Sequence, residues 1–420
     1  MHLPTIHAID KIVFPDPEEI RLGNAIPVFG FNGTKNDILR IELVFNSGRW
    51  TEPAKLTADF AARLIKSGTA EMDAFTLSEQ IDFYGSTIKA SAGYNTFTVS
   101  MYCMNRFLEP SLELLMKCLT EIIFPEKEIS LIQKNAISKL RVSQEKNDYL
   151  ADVAFKNAVY GKDHPYGYET TEEAIKNIRQ DLLQKFYQTD IHPKNCTLFI
   201  AGKYADHELS LIEQYLGKWK HSTDIETITS KDFLVTPGEK KIRIVKDKSV
   251  QASIIIGKQL FNKHHQDFAP FLLLNTIFGG YFGSRLMGNI REEKGLTYGI
   301  YSGLATLKHG GIFSIQTDTN LDTLDLCLEE IYKEIDRLHQ TLIPEKEITL
   351  ARNYLLGKFL SRTDGPFNQV EVFKGYFIEG VNIHKFEEIE ETIKQTDAVT
   401  LQQMAQTYLQ RESMFETIVG

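Results

Sequence analysis

The chain has 420 residues, more than one hydrophobic core usually organises, so two or three domains are expected. Hydrophobic residues at 42% and charged residues at 25% are globular proportions and exclude a disordered or fibrous chain. Lys and Arg number 47 against 56 Asp and Glu, a net charge of −9, which argues against nucleic acid or an anionic membrane as the main partner. Basic or unfolded peptides are easier for such a chain to attract.

The segment Met1 to Asp10 lacks a basic stretch followed by an apolar run, and no later stretch approaches the uncharged apolar length of a membrane helix. Neither a signal peptide nor a membrane span is expected. The cysteines Cys103, Cys118, Cys196 and Cys327 are scattered without a C-x-x-C pair, so no disulfide framework or cysteine zinc site is written here. A reducing, cytoplasmic setting follows.

In chain order, alternation and β-branched density predict strands at Ile38–Phe45 and Thr96–Met101. An amphipathic helix is expected over Leu112–Ile123, and a longer one bears Ile129, Ile132, Ala136, Ile137 and Leu140. A strand at Thr197–Ala201 precedes a polar stretch, from Lys220 to Glu239, where apolar periodicity lapses. Strands at Ala252–Ile256 and Gly311–Gln316 then lead to helices over Leu321–Leu338 and through Ile348, Leu355, Leu356 and Phe359.

The order of elements repeats, and so does a sequence. Phe124-Pro125-Glu126-Lys127-Glu128-Ile129-Ser130-Leu131 returns 219 residues later as Ile343-Pro344-Glu345-Lys346-Glu347-Ile348-Thr349-Leu350, each with Pro and acids at a helix start. The expected architecture is α+β: two similar sandwich domains, each a mixed sheet covered by helices, produced by internal duplication. The boundaries are 1–220, a linker at 221–238, and 239–420.

The segment from Phe278 to Ile300 is the richest in candidate chemistry. Gly279, Gly280 and Gly283 permit a tight turn or close approach before a helix beginning at about Ser284. Without the G-K-[ST] ending of a phosphate loop or a dinucleotide-binding βαβ unit, a helix cap explains them better than a nucleotide. Among eleven histidines the closest pair, His264 and His265, is adjacent and cannot share one face, and no H-E-x-x-H occurs. His164, before Pro165, reads as a turn residue.

Glycines, then Ser284-Arg285-Leu286, then Arg291-Glu292-Glu293-Lys294-Gly295-Leu296-Thr297-Tyr298 resemble the second-domain signature of the insulinase and pitrilysin-type zinc peptidases, whose half-size members include the processing-peptidase subunits. Gly48-Arg49-Trp50-Thr51-Glu52, Gly68-Thr69, Phe83-Tyr84-Gly85-Ser86, His164-Pro165-Tyr166-Gly167 and Pro193-Lys194-Asn195-Cys196 fall in the family's order. The resemblance implies a processing-peptidase-like metalloprotease fold of two similar halves.

It also implies a zinc site this chain has lost. The family's H-x-x-E-H helix precedes a Gly-Thr, with two imidazoles on the metal and the Glu activating water. Counting back from Gly68-Thr69, Asp59-Phe60-Ala61-Ala62-Arg63 stands there, so Asp59, Ala62 and Arg63 replace both ligands and the base. The third ligand, a Glu, should fall within 136–140, which offers no carboxylate. The expectation is a chain with no metal or catalytic residue of its own, inactive alone.

What is kept is the pair Arg291 and Tyr298, matching the Arg and Tyr that the family turns toward the scissile peptide. A guanidinium can hold a peptide backbone or carboxylate, and a phenol can donate to the oxyanion of a tetrahedral intermediate formed at zinc. Otherwise they would be an Arg paired with Glu292 or Glu293 and a Tyr in a sheet core.

By resemblance, the chain is then the zinc-less subunit of a heterodimeric endopeptidase. The partner is a homologous metal-bearing subunit that holds the zinc, and the substrate is a peptide or unfolded segment. The shortened glycine-rich loop argues against gripping presequences, and Tyr281-Phe282 is a plausible contact. The alternative is a non-proteolytic scaffold, like the respiratory-complex core proteins of this fold.

Overall fold

A computed structural model describes residues 9, 11–220 and 232–420. Most of the expected linker, 221–231, lies outside the described residues.

The first half contributes strands β1 (Glu18–Arg21), β2 (Pro27–Asn32), β3 (Ile38–Phe45), β4 (Thr87–Ala92), β5 (Phe97–Met104) and β6 (Cys196–Gly202). The second contributes β7 (Lys241–Ile244), β8 (Gln251–Leu260), β9 (Ile300–Leu307), β10 (Gly310–Asn320) and β11 (Phe415–Val419). Among the described residues these form two sheets, ordered β1-β2-β6-β3-β5-β4 and β7-β11-β8-β10-β9. Without its edge strand β1 the first sheet repeats the second strand for strand. In each, one parallel pair, β2 with β6 or β7 with β11, joins otherwise antiparallel neighbours.

The helices repeat too. The first half carries α1 (Thr57–Arg63), α2 (Ala74–Phe83), α3 (Leu108–Thr120), α4 (Glu126–Gln144), α5 (Asn147–Tyr160), α6 (Glu172–Lys176), α7 (Gln180–Asp190) and α8 (Asp206–Ile212). The second carries α9 (Phe268–Asn275), α10 (Leu324–Gln340), α11 (Glu345–Arg362), α12 (Pro366–Glu379), α13 (Lys385–Gln395) and α14 (Ala398–Tyr408). Pro125 and Pro344 sit at equivalent N-caps of α4 and α11, with Glu126 and Glu128, or Glu345 and Glu347, in the first turn, where carboxylates suit the helix dipole.

Both faces of the first sheet are covered, which is why β3 and β6 are almost wholly buried. Leu39, Ile41, Leu43 and Phe45 of β3 join Phe60, Leu112, Leu115 and Phe186 in one core. The opposite face, with Phe31, Phe199 and Ala201, meets Phe373 and Tyr376 of α12 in another.

That second contact is an exchange between the halves. Helix α12, beginning and ending 219 residues after α5, packs on β2 and β6 of the first sheet, while α5 packs on β8 and β11 of the second. The two seams differ in chemistry. Phe155, Ala158 and Val159 of α5 meet Ile255, Phe415 and Val419 in an apolar contact. Under α12, buried Arg40 and Glu42 form a network with Glu371 and Lys374, in which Lys374 Nζ lies 2.6 Å from Glu42 and 3.0 Å from Glu371 and Arg40 pairs with both carboxylates.

Candidate functional site

Helix α1 stands where the resemblance places the zinc-binding helix, and its residues do not suit a dication. Asp59 and Arg63, one turn apart, pair with each other at 2.9 Å, and the Ala62 methyl is buried. The opposite face, Phe60 and Ala61, packs into the first core. In 136–140 of α4, Ala136 and Leu140 are buried and no carboxylate is present. Among the described residues no three His, Cys, Asp or Glu side chains gather as a metal site requires.

The start of α1 is held by a residue whose role the sequence reading missed. Buried Glu52 accepts hydrogen bonds from the backbone N–H groups of Leu56 at 3.1 Å and Ala58 at 3.0 Å and from the Tyr168 hydroxyl at 2.6 Å. Burial raises its pKa to about 7, against the pull of those three donors. The signal was a Glu four residues before Leu56, an N-cap residue that has no capping side chain.

The glycine segment works by close packing. A Cβ on Gly279 would lie 2.5 Å from Ser302 Oγ and 2.7 Å from its backbone N, so only glycine lets this backbone lie against β9. On Gly280 it would lie 3.1 Å from Asn275 O, and on Gly283 2.8 Å from the Tyr281 ring. The helix starts after Ser284 as expected, but Ser284 Oγ is buried without a hydrogen-bond partner, so it is not the capping group. Arg285 anchors the helix by a bidentate pair with Glu347 of α11, at 2.8 and 2.9 Å.

Arg291 lies in the helical turn Met287–Glu293, and the chain then reverses so that Tyr298 returns beside it. The Arg291 guanidinium carbon sits 5.3 Å from the Tyr298 ring centroid and 4.8 Å from that of Phe282. It pairs with neither Glu292 nor Glu293, and Tyr298 is not core: 92% of it is exposed. Phe282 is likewise open, at 57%, whereas Tyr281 stacks on Tyr354 with centroids 4.8 Å apart.

The frame around these open side chains is tied down. Asn289 Nδ2 donates to two buried carboxylates of α10, Glu330 at 3.1 Å and Glu334 at 2.7 Å. Leu296 N–H returns to Ile290 O at 3.0 Å, Thr297 Oγ1 donates to Asp318 O at 2.6 Å, and Thr319 Oγ1 donates to Leu296 O at 2.8 Å. Tyr298 lines a cleft of about 960 Å³ whose other walls include Ser143 at the end of α4, Tyr149 and Asp152 of α5, and Ile255 and Gln316 of the second sheet.

A duplicated pair of mixed sheets wrapped by helices, with an Arg–Tyr loop in the second half, is the two-half architecture that the sequence resemblance implies. Comparison makes the relationship specific. Residues 177–355 match the family description Peptidase M16 inactive domain. An uncharacterized zinc protease of Rickettsia bellii is 25% identical over 391 residues, covering 92% of this chain and 93% of that one. A non-peptidase homolog, YmxG of Helicobacter pylori, is 21% identical over 334 residues, 78% of this chain and 76% of that one.

Among solved structures, the peptidase M16 inactive domain from Pseudomonas fluorescens superposes with a TM-score of 0.83 at 19% identity, covering 96% of this chain and 98% of that one. The periplasmic protease PqqL of Escherichia coli does so at 0.79 and 17% identity, covering 100% of this chain but 48% of that one. The resemblance read from the sequence is therefore supported: residues 177–355 match the M16 inactive domain, and the fold is the one seen in the M16 structures on which the chain superposes.

Proposed function

We propose that the chain is the zinc-less subunit of a heterodimeric zinc endopeptidase, in which Arg291 and Tyr298 meet the peptide while a homologous partner supplies the metal and the H-x-x-E-H helix. One observation carries this reading. Tyr298 is held almost fully in solvent by a hydrogen-bonded loop, beside a guanidinium with no carboxylate partner among the described residues, on a cleft large enough for peptide side chains. Folding alone has no use for that arrangement, and neither does a purely structural scaffold.

At such a site Arg291 holds a backbone carbonyl or a substrate carboxylate, and the Tyr298 hydroxyl donates to the carbonyl oxygen as it gains charge. Asp59, Ala62 and Arg63 supply neither a ligand nor a base, so no step runs on them. The match to about half of PqqL supports pairing of two such units, because a chain twice this length has room for a second. Residues 1–220 and 239–420 are proposed as the two domains, locked by their exchanged helices. No helix among the described residues is long and apolar enough to cross a membrane, and the four cysteines are free and buried, which suits a reducing cytoplasmic location.

Co-purification with a metal-bearing homologue from the same source tests the assembly. The expected product is a one-to-one complex holding one zinc, which stays with the partner when the two are separated. Zinc retained by this chain alone, or no complex with any such homologue, contradicts the reading.

A further inference from the structure

Away from the cleft, a pocket of about 250 Å³ opens between α11, α12 and the edge strand β9. Its floor is apolar, built by Phe268, Leu272, Leu304, Leu355, Phe359 and Phe386. A dry cavity of about 150 Å³ accepts benzene, so this one has room for a somewhat longer hydrocarbon group.

The charges on its walls are of two kinds. Lys263 is tied to Glu379, which also accepts from Thr306 Oγ1 at 2.8 Å, and Glu371 is held by Arg40 and Lys374. Those charges are already neutralised within the protein. Lys358 and Arg362, one turn apart at the end of α11, are exposed at the mouth and pair with no described residue. Two uncommitted cations therefore stand over an apolar floor, where an anion with a hydrocarbon body is complementary.

Tyr376 points the same way. It lines the pocket and is only 7% exposed, and its hydroxyl, bonded to no described residue, is not fully enclosed and so remains open to the pocket space. Arg362 lies near enough to act electrostatically on that hydroxyl. A ligand carboxylate between them would satisfy both.

We propose that this pocket binds a small apolar monocarboxylate, the acid held by Arg362, Lys358 and the Tyr376 hydroxyl and the hydrocarbon body packed between α9, α11 and β9. The site is independent of the peptidase reading and does not need a partner subunit.

Octanoate is a suitable probe, measured by calorimetry and thermal shift on the full chain against octylammonium and octanol of equal length. The expected result is octanoate binding in the submillimolar range, with the alcohol about tenfold weaker and no measurable binding of the amine. Replacing both mouth cations, Lys358→Gln with Arg362→Gln, should weaken octanoate about tenfold and leave the melting temperature unchanged, because both side chains are exposed and unpaired. Tyr376→Phe, which removes only the hydroxyl, should weaken it about threefold. No octanoate binding, equal binding of octylammonium, or equal affinity in the double variant would each overturn the proposal.

Discussion

Helix α1 and the loop from Arg291 to Tyr298 stand where the sequence resemblance places a metal site and substrate contacts, and the fold treats them in opposite ways. In α1 the side chains are used up: Phe60 and Ala61 fill the core, Asp59 and Arg63 pair, and buried Glu52 caps the first turn. In the loop the frame is held by several hydrogen bonds while Tyr298 and Phe282 stand in solvent around a guanidinium with no ion pair among the described residues. Helix α1 is committed to packing within the fold. Side chains held rigidly in the open are available to something outside the chain.

Substitutions should separate the two regions on a stability scale. Phe60→Ala empties a fully buried site in α1 and should cost about 3–5 kcal/mol, measured by urea denaturation. Glu52→Ala leaves two helix N–H groups and the Tyr168 hydroxyl without an acceptor and should cost about 1–3 kcal/mol. If either variant is as stable as the wild type, α1 is not the structural element described.

Glu52 also gives a signature in pH. Its folded pKa lies above the ordinary carboxylate value, so the folded state binds its proton more tightly than the unfolded chain does. The contribution is fully present below about pH 4.5, declines as pH rises through about 7, and is gone above that. Glu52→Gln should flatten this decline between pH 5 and 8 in denaturation series. An unchanged slope would remove Glu52 as its source.

Smaller effects complete the contrast. Arg63→Ala breaks one partly exposed i,i+4 pair and should cost less than about 0.5 kcal/mol. Tyr298→Phe should leave stability within about 0.5 kcal/mol of wild type, since the side chain is 92% exposed and its hydroxyl bonds to no described residue. A large loss of stability in Tyr298→Phe would erase the difference between the regions.

How much of this was legible in the sequence depended on how local the cause was. The duplication showed because Phe124–Leu131 and Ile343–Leu350 encode the same helix start, with Pro at the cap and acids behind it. Strand β3 was readable to the residue because its pattern is continuous, whereas β1 and β7, four residues each, are defined by the strands beside them. The exchange of α5 and α12 was not readable. An apolar helix face states that it is buried, not which of two similar sheets buries it. The Arg291–Tyr298 pair was found by motif, but that Phe282 completes the group depends on where the chain reverses. Glu52 was seen only as part of a family string, because its partner Tyr168 lies 116 residues away.

The most direct test is peptidase turnover by the purified chain, alone and mixed with a metal-bearing homologue from the same source, with Arg291→Ala and Tyr298→Phe in parallel. The account predicts no activity alone, activity in the mixture, and a loss of about a hundredfold in kcat/KM for either variant while the complex still forms. Full activity of both variants in the mixture would contradict it.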